Sequence, residues 1–459
     1  MQARMAELVV RSEPAWRAAA LAACCWLGMA ANGRGAEAVA ELAILATHIL
    51  PAQQLPGGSG VALGGLSDLF VTAADAEGIV AWTLTDRGPN GISPGPPKRR
   101  TLLAADFAPT AIRLRLPTEG GPTVEAVLPL AGVSGKPFSG RPNGVGGDEP
   151  ILDAATGEAV AADPNGVDTE GIVVLPDGSF WVCEEYRPSL IRVSAEGRVV
   201  ERHVPEGVAL DGADTRVIAD LPAVYGKRRD NRGFEGLALS PDKTRLFVIL
   251  QSPLDNPVKK AGRQTGNVRL LVVDAATGGP VAEHVYRLGD PTDPAWATVG
   301  APPADGKLCC LAALANGSLA VLEQDETGLL RLYRADPQAA TDTLPRTRRG
   351  DAPAIETIAD LAAAGITPLA KTLVADLAPL VPRLRQDVFG TEDADSAGPT
   401  LKIEGLAVLD AGRVLLINDN DFAVPEGTGT QAAKNCLWVV GLPGLLPAAP
   451  AHTGLTPER

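Results

Sequence analysis

Three glutamates in this 459-residue sequence share one setting, each standing before a glycine and an apolar run. The copies are Glu170-Gly171-Ile172-Val173-Val174, Glu235-Gly236-Leu237-Ala238-Leu239 and Glu404-Gly405-Leu406-Ala407-Val408. A turn follows each, then a second apolar run with a polar end: Glu184-Glu185, Gln251, and Asn418-Asp419. Two weaker copies exist. Leu66-Ser67-Asp68-Leu69 leads to Thr85-Asp86-Arg87-Gly88, and Leu311 to Leu314 turns at Asn316-Gly317 and ends at Glu323. If the copies are equivalent strands around an axis, their glutamates meet at one mouth of a central channel. Two carboxylates about 4 Å apart repel by about 1 kcal/mol in water and about 4 kcal/mol at an effective dielectric of 20. Such a cluster needs a cation, an arginine or shared protons. Oxygen ligands without histidine or thiolate favour Ca²⁺ or Mg²⁺ over zinc.

On this reading Glu170, Glu235, Glu404 and Asp419 are the expected metal ligands, with Ca²⁺ as the expected ion. Asp86 and Glu184 are the expected water-activating carboxylates, and Arg87 clamps a phosphate or neutralises the glutamates. A plainer reading stands beside it. A glutamate before glycine at a strand start can hydrogen-bond backbone N–H groups of the next blade and lock the two together. Asn418 to Asp421 likewise read as an exposed polar turn.

The elements that must carry these residues are short strands. Pro176-Asp177-Gly178 and Asn316-Gly317 between apolar runs are hairpin turns that tolerate positive φ. Outer hairpins often follow, as at Leu190 to Val204 and at Leu270 to Val273 with its turn Asp274 to Gly278. Inner plus outer hairpin makes a four-stranded blade. The expected fold is all-β: a β-propeller of about six or seven four-stranded blades, with a small helical insertion near residues 355–384. The blade number comes from spacing. Glu170 and Glu235 stand 65 residues apart and Glu235 and Glu404 stand 169 apart, against about 40–50 residues for a bare blade.

Composition narrows the chemistry. The 50 glycines and 39 prolines fit many turns, and the net charge of −14 argues against a nucleic-acid partner. The cluster Lys98-Arg99-Arg100 reads as a solvated loop rather than an anion site. The four histidines show no zinc spacing. Gly91-Ile92-Ser93-Pro94-Gly95 matches a nucleophile elbow only in letters, because Pro94 lacks the N–H an oxyanion hole needs.

Residues 1–38 read as an export signal. Arg4, Arg11 and Arg17 precede an apolar run of 14 residues, Ala18 to Ala31, and Ala36-Glu37-Ala38 is the cleavage site. A lipoprotein anchor at Cys24 is the less favoured alternative. The propeller domain then spans 39–459, in the periplasm or secreted, with no membrane span, as a monomer. Cys183, Cys309, Cys310 and Cys436 remain in that domain, as disulfides or as buried free thiols.

The chain resembles the phytase-like family (esterase-like activity of phytase). The matching pieces are Gly64-Gly65-Leu66-Ser67, Thr85-Asp86-Arg87-Gly88, Asp168-Thr169-Glu170-Gly171-Ile172 with Glu184-Glu185, Asn231-Arg232-Gly233-Phe234-Glu235-Gly236-Leu237, and Lys402-Ile403-Glu404-Gly405-Leu406 with Asn418-Asp419-Asn420. The resemblance implies an exported propeller linked to phytase or esterase activity. Cys309-Cys310 departs from it at the fourth copy, where an acidic residue is usual, so a full carboxylate ring is broken there. Two functions follow: a Ca²⁺-dependent hydrolase acting on a small phosphate or other ester, or a non-catalytic binding or structural propeller of the envelope with a structural calcium ion.

Overall fold

The computed structural model describes residues 41–447 except 56–59, 95, 145–149, 290–305, 327, 351, 392–399, 425–432 and 444–445. The expected leader and its cleavage site lie outside the described residues.

Each copy of the repeated phrase is the inner hairpin of one sheet. The inner strands are Leu66–Asp75, Thr169–Val174, Phe234–Leu239, Lys307–Ala313 and Lys402–Asp410. Their antiparallel partners are Gly78–Thr85, Phe180–Glu184, Arg245–Leu250, Leu319–Gln324 and Arg413–Asp419. Outer strands complete four sheets of four strands and one of five. We number these sheets blades 1 to 5 in chain order. Each inner strand packs against those of the two neighbouring blades, and the first meets the last, so the ring is closed. The last blade is sealed by the first and last of the described strands: Ala43–Ile49 pairs antiparallel with Cys436–Gly441. The fold is an all-β propeller.

Two expectations need correction. Among the described residues five blades form the ring, not six or seven, because the 169 residues between Glu235 and Glu404 hold the rest of blade 3, one further blade and long connections. The helical insertion near 355–384 is also not as expected. Ile355–Thr357 is a single 3₁₀ turn, Ala370–Asp376 is the outer strand of blade 4, and the helix Val381–Phe389 only begins as that segment ends. The alanine-rich stretch Leu361-Ala362-Ala363-Ala364-Gly365 is a turn, with Leu361 packed against Val285, Ile355 and Ile358, and the chain then extends into the edge strand.

Blades stack face to face, so inner strands are buried on both faces and read as continuous apolar runs. Phe180–Glu184 is buried at every position. Each large side chain removed from water there contributes roughly 1.5–3 kcal/mol. Trp181 also reaches from blade 2 to blade 3, where its Nε1 donates to the Ala275 carbonyl at 2.9 Å.

The same irregularity recurs at the start of every inner strand. The ladder slips by one residue at Glu170, Glu235, Cys309 and Glu404, and over Asp68-Leu69 in blade 1. A bulge of this kind re-aims one side chain out of the strand's alternation. The glycine that follows has its own cause. A Cβ on Gly171 would stand 2.8 Å from Leu237 Cβ, and one on Gly236 would stand 2.9 Å from Leu311 Cβ. The Glu-Gly phrase is thus a bulge residue followed by the point where the next blade's backbone comes closest.

The four cysteines are free and buried. Among the described residues no helix is long and apolar enough to cross a membrane.

Candidate functional site

The bulges of blades 2, 3 and 5 open into one cavity of about 660 Å³ at the polar mouth of the channel, which Ser67 of blade 1 and Lys307 of blade 4 also line. Asp86, Arg87, Glu170, Glu185, Glu235, Glu404 and Asp419 line it, with Arg100, Arg232, Lys307 and Lys402 among the cations. The three glutamates of the repeated phrase therefore share one chamber.

Against its wall the tightest group belongs to blade 2, with Asp168 buried behind Glu170 and Glu185. Carboxylate oxygens of Asp168, Glu170 and Glu185 all lie within 4.8 Å of one another. Arg87, which follows the second strand of blade 1, sits against them. Its guanidinium is ion-paired with Asp168 and lies 3.3 Å from Glu185 Oε2, while its backbone N–H donates to Asp168 Oδ1 at 3.0 Å. The Arg87 side chain also covers the Tyr186 ring at 5.0 Å. Ser67, at the bulge of blade 1, donates its hydroxyl to Glu170 Oε2 at 3.0 Å. Gln251 donates to Glu185 Oε1 at 3.2 Å.

Burial and mutual repulsion act on all these carboxyls. Burial pushes the Glu170 carboxyl well up, and the charges of Glu235, Asp168 and Glu185 push it further. Glu185 is raised to about 7 by burial and then by Asp168, against the pull of Arg87. Asp86 is raised well above the usual range by burial, then by Asp419 and Asp168. Asp419 is raised to about 8 by burial and by Asp421, with Lys402 opposing. This is the signature of a site that prefers protons or a metal cation to bare negative charge.

The expected residues divide. Glu170, Glu235, Glu404, Asp419, Asp86 and Arg87 all face the cavity. Glu235 carries a buried Oε2 with no hydrogen-bond partner, and so does Glu404. Asp419 accepts the Asp421 N–H at 2.7 Å and lies 3.6 Å from the Lys402 ammonium, across from Asp86.

Glu184 requires correction. It is fully buried outside the cavity, and both its oxygens are committed. Oε2 accepts the Tyr186 N–H at 2.8 Å, and Oε1 accepts from Arg187, Ser189 and, at 2.6 Å, the fully buried Arg202. Such a group has no room for a water to activate. Neighbours on a strand point to opposite sides, and Glu185, the next residue, is the one that enters the chamber.

Sequence reasoning also missed Asp168 as a ligand candidate, although it stands two residues before Glu170. The basic cluster read as a solvated loop in fact delivers Arg100 to the cavity wall, where its guanidinium donates to Asn90 Oδ1 at 2.6 Å. No histidine or cysteine lines the described cavity, so the available donors are oxygens, as a hard cation such as Ca²⁺ requires.

The model of the phytase-like family, described as esterase-like activity of phytase, matches residues 61–422. The chain belongs to this family. The match spans all five inner strands and every cavity residue named above. An uncharacterized secreted protein of Arthroderma benhamiae is 33% identical over 134 residues, which is 26% of this chain and 26% of that protein. The chain thus matches about a quarter of that relative's length. Among solved structures, regucalcin from Agrobacterium tumefaciens, a calcium-binding protein, is 15% identical with a TM-score of 0.31, covering 84% of this chain and 92% of that one. A luciferin-regenerating enzyme is 12% identical with a TM-score of 0.33, covering 84% and 95%. A gluconolactonase from Xanthomonas campestris is 12% identical with a TM-score of 0.27, covering 86% and 98%.

Proposed function

We propose that this phytase-like propeller is an exported, calcium-dependent hydrolase of small phosphate or carboxyl esters. The observation that carries the proposal is the meeting of Asp168, Glu170 and Glu185 within 4.8 Å beside a chamber that holds a separate carboxylate, Asp86. Asp168, Glu170 and Glu185 would hold the ion, which when bound supplies Lewis-acid polarisation of a substrate oxygen. Arg87 fixes two of those carboxylates in place. Ser67 fixes the third.

Asp86 supplies the base. Its Oδ1 accepts the Gly88 N–H at 2.8 Å, which orients the carboxyl toward the cavity. Burial, and then the charges of Asp419 and Asp168, raise its pKa and so make its ionised form the stronger base. Arg100, Lys307 and Lys402 line the wall and offset the repulsion that an acidic chain exerts on an anionic substrate. The basic leader and apolar run of residues 1–38, together with a relative described as secreted, support export.

A second reading has its own observation. Several carboxylates tie neighbouring blades together: Glu170 accepts from Ser67 across the boundary of blades 1 and 2, and Glu404 accepts from Lys307 across that of blades 4 and 5. On that reading a bound ion pins blades and does no chemistry.

The test is a panel of chromogenic phosphate and carboxyl esters, assayed with calcium and with chelator. Hydrolysis that needs calcium and disappears in both Glu170→Gln and Asp86→Asn, each folded normally, is the expected result. Calcium that raises the melting temperature while no ester turns over would favour the structural ion.

A further inference from the structure

The chamber is not charged evenly, and the unevenness follows from one position in the repeat. Two residues before the single bulge residue stand Asp168 in blade 2, Gly233 in blade 3, Lys307 in blade 4 and Lys402 in blade 5. Blade 2 is therefore acidic twice over, at Asp168 and Glu170. Blade 4 has an ammonium at this position and a thiol, Cys309, where its neighbours carry glutamate.

Lys307 is the first residue of its strand. Its Nζ lies 3.1 Å from Glu404 Oε1 in the next blade. Burial works against its charge, but the carboxylates of Glu404 and Glu235 outweigh burial and keep it protonated. Glu235 and Glu404 are only 3% and 7% exposed, line the same cavity, and each keeps one oxygen, Oε2, without a hydrogen-bond partner. Those open acceptors are what a cation would use.

We propose that Lys307 is a tethered cation occupying what would otherwise be a second divalent-ion site between Glu235 and Glu404. The inference rests on the reading of this mouth as a cation site, and it limits that mouth to the single ion beside Asp168, Glu170 and Glu185. The physical reason is substitution. One ammonium supplies the positive charge that the two glutamates need, it cannot be chelated away, and it excludes a second ion by repulsion and by volume.

Calorimetric titration of the full chain with calcium chloride tests this. Lys307→Met should bind one more calcium ion per chain than the wild type, whereas Lys307→Arg should bind the wild-type number. Glu404→Gln in the otherwise native chain should leave the wild-type number unchanged, because no ion is held there. Equal stoichiometry in Lys307→Met and wild type would overturn the proposal. So would loss of the wild-type ion in Glu404→Gln, a variant that keeps its shape and serves if the methionine variant does not fold. A wild type that binds no calcium would defeat the blade 2 site, while the gain or absence of gain on removing Lys307 would still judge this inference separately.

Discussion

The same five strands build two different ends of one channel. At the far end Leu69, Val71, Val174, Leu237, Leu239, Leu311 and Val408 surround a cavity of only about 110 Å³. At the near end the bulges of blades 2, 3 and 5 turn their glutamates into a chamber of about 660 Å³ that Ser67, Arg87 and Lys307 also line. The contrast teaches that one strand can hold the fold with its later residues and the chemistry with its first ones. Apolar packing stabilises the propeller, whereas the clustered carboxyls oppose it until something positive arrives.

Arg202 offers the largest break of this comparison, because it anchors Glu184, a carboxylate that serves packing rather than the chamber beside it. Arg202→Met leaves Glu184 charged and buried without its partner, which should cost about 3–5 kcal/mol in urea unfolding. A loss well under 1 kcal/mol would return Glu184 to consideration as a site residue. Leu237→Ala, in the apolar end, should cost about 2–5 kcal/mol, with the calcium-induced rise in melting temperature unchanged. A lost calcium response in that variant would mean the two ends are coupled.

Glu170→Gln should do the reverse. In chelator near pH 8 it relieves repulsion and should stabilise the protein by about 1 kcal/mol, and it should abolish the calcium response. A destabilised variant would mean Glu170 acts chiefly as a blade fastener through Ser67. The smallest effect is graded with pH. Folded values near 7 for Glu185 and near 8 for Asp419 lie above their unfolded values. The stability they contribute is therefore fully present below about pH 4 and lost as pH climbs through 7 to 8. Thermal melts in chelator should fall across that window, and calcium should restore more stability at pH 8 than at pH 5.5. Melts that rise steadily with pH in chelator would contradict the assignment.

Much of this was legible in the sequence. The repeated Glu-Gly phrase marks an inner strand each time, and its five copies are the five described blades; spacing misled because long connections separate blades 3, 4 and 5. The convergence of Glu170, Glu235 and Glu404 follows from equivalence alone. The choice between Glu184 and Glu185 did not, because a one-residue bulge at Glu170 sets the phase of the hairpin and adjacent letters carry no such mark. Lys307 escaped notice, and Arg100 was read as part of a solvated loop, for a related reason: each reaches the chamber from a strand start, and only the ring brings those places near the glutamates. The segment 355–384 shows the opposite failure: local alanine content argued for helix, but the alanines at 362–364 form a turn that ends at Gly365, and the chain then runs on into an edge strand.

The most direct test is a crystal structure of the full chain grown with millimolar calcium. The account predicts one calcium peak bounded by Asp168, Glu170 and Glu185, with oxygens at about 2.3–2.6 Å and the Lys307 ammonium still on Glu404. A chamber with no calcium peak, or a peak seated between Glu235 and Glu404 with Lys307 turned away, would contradict it.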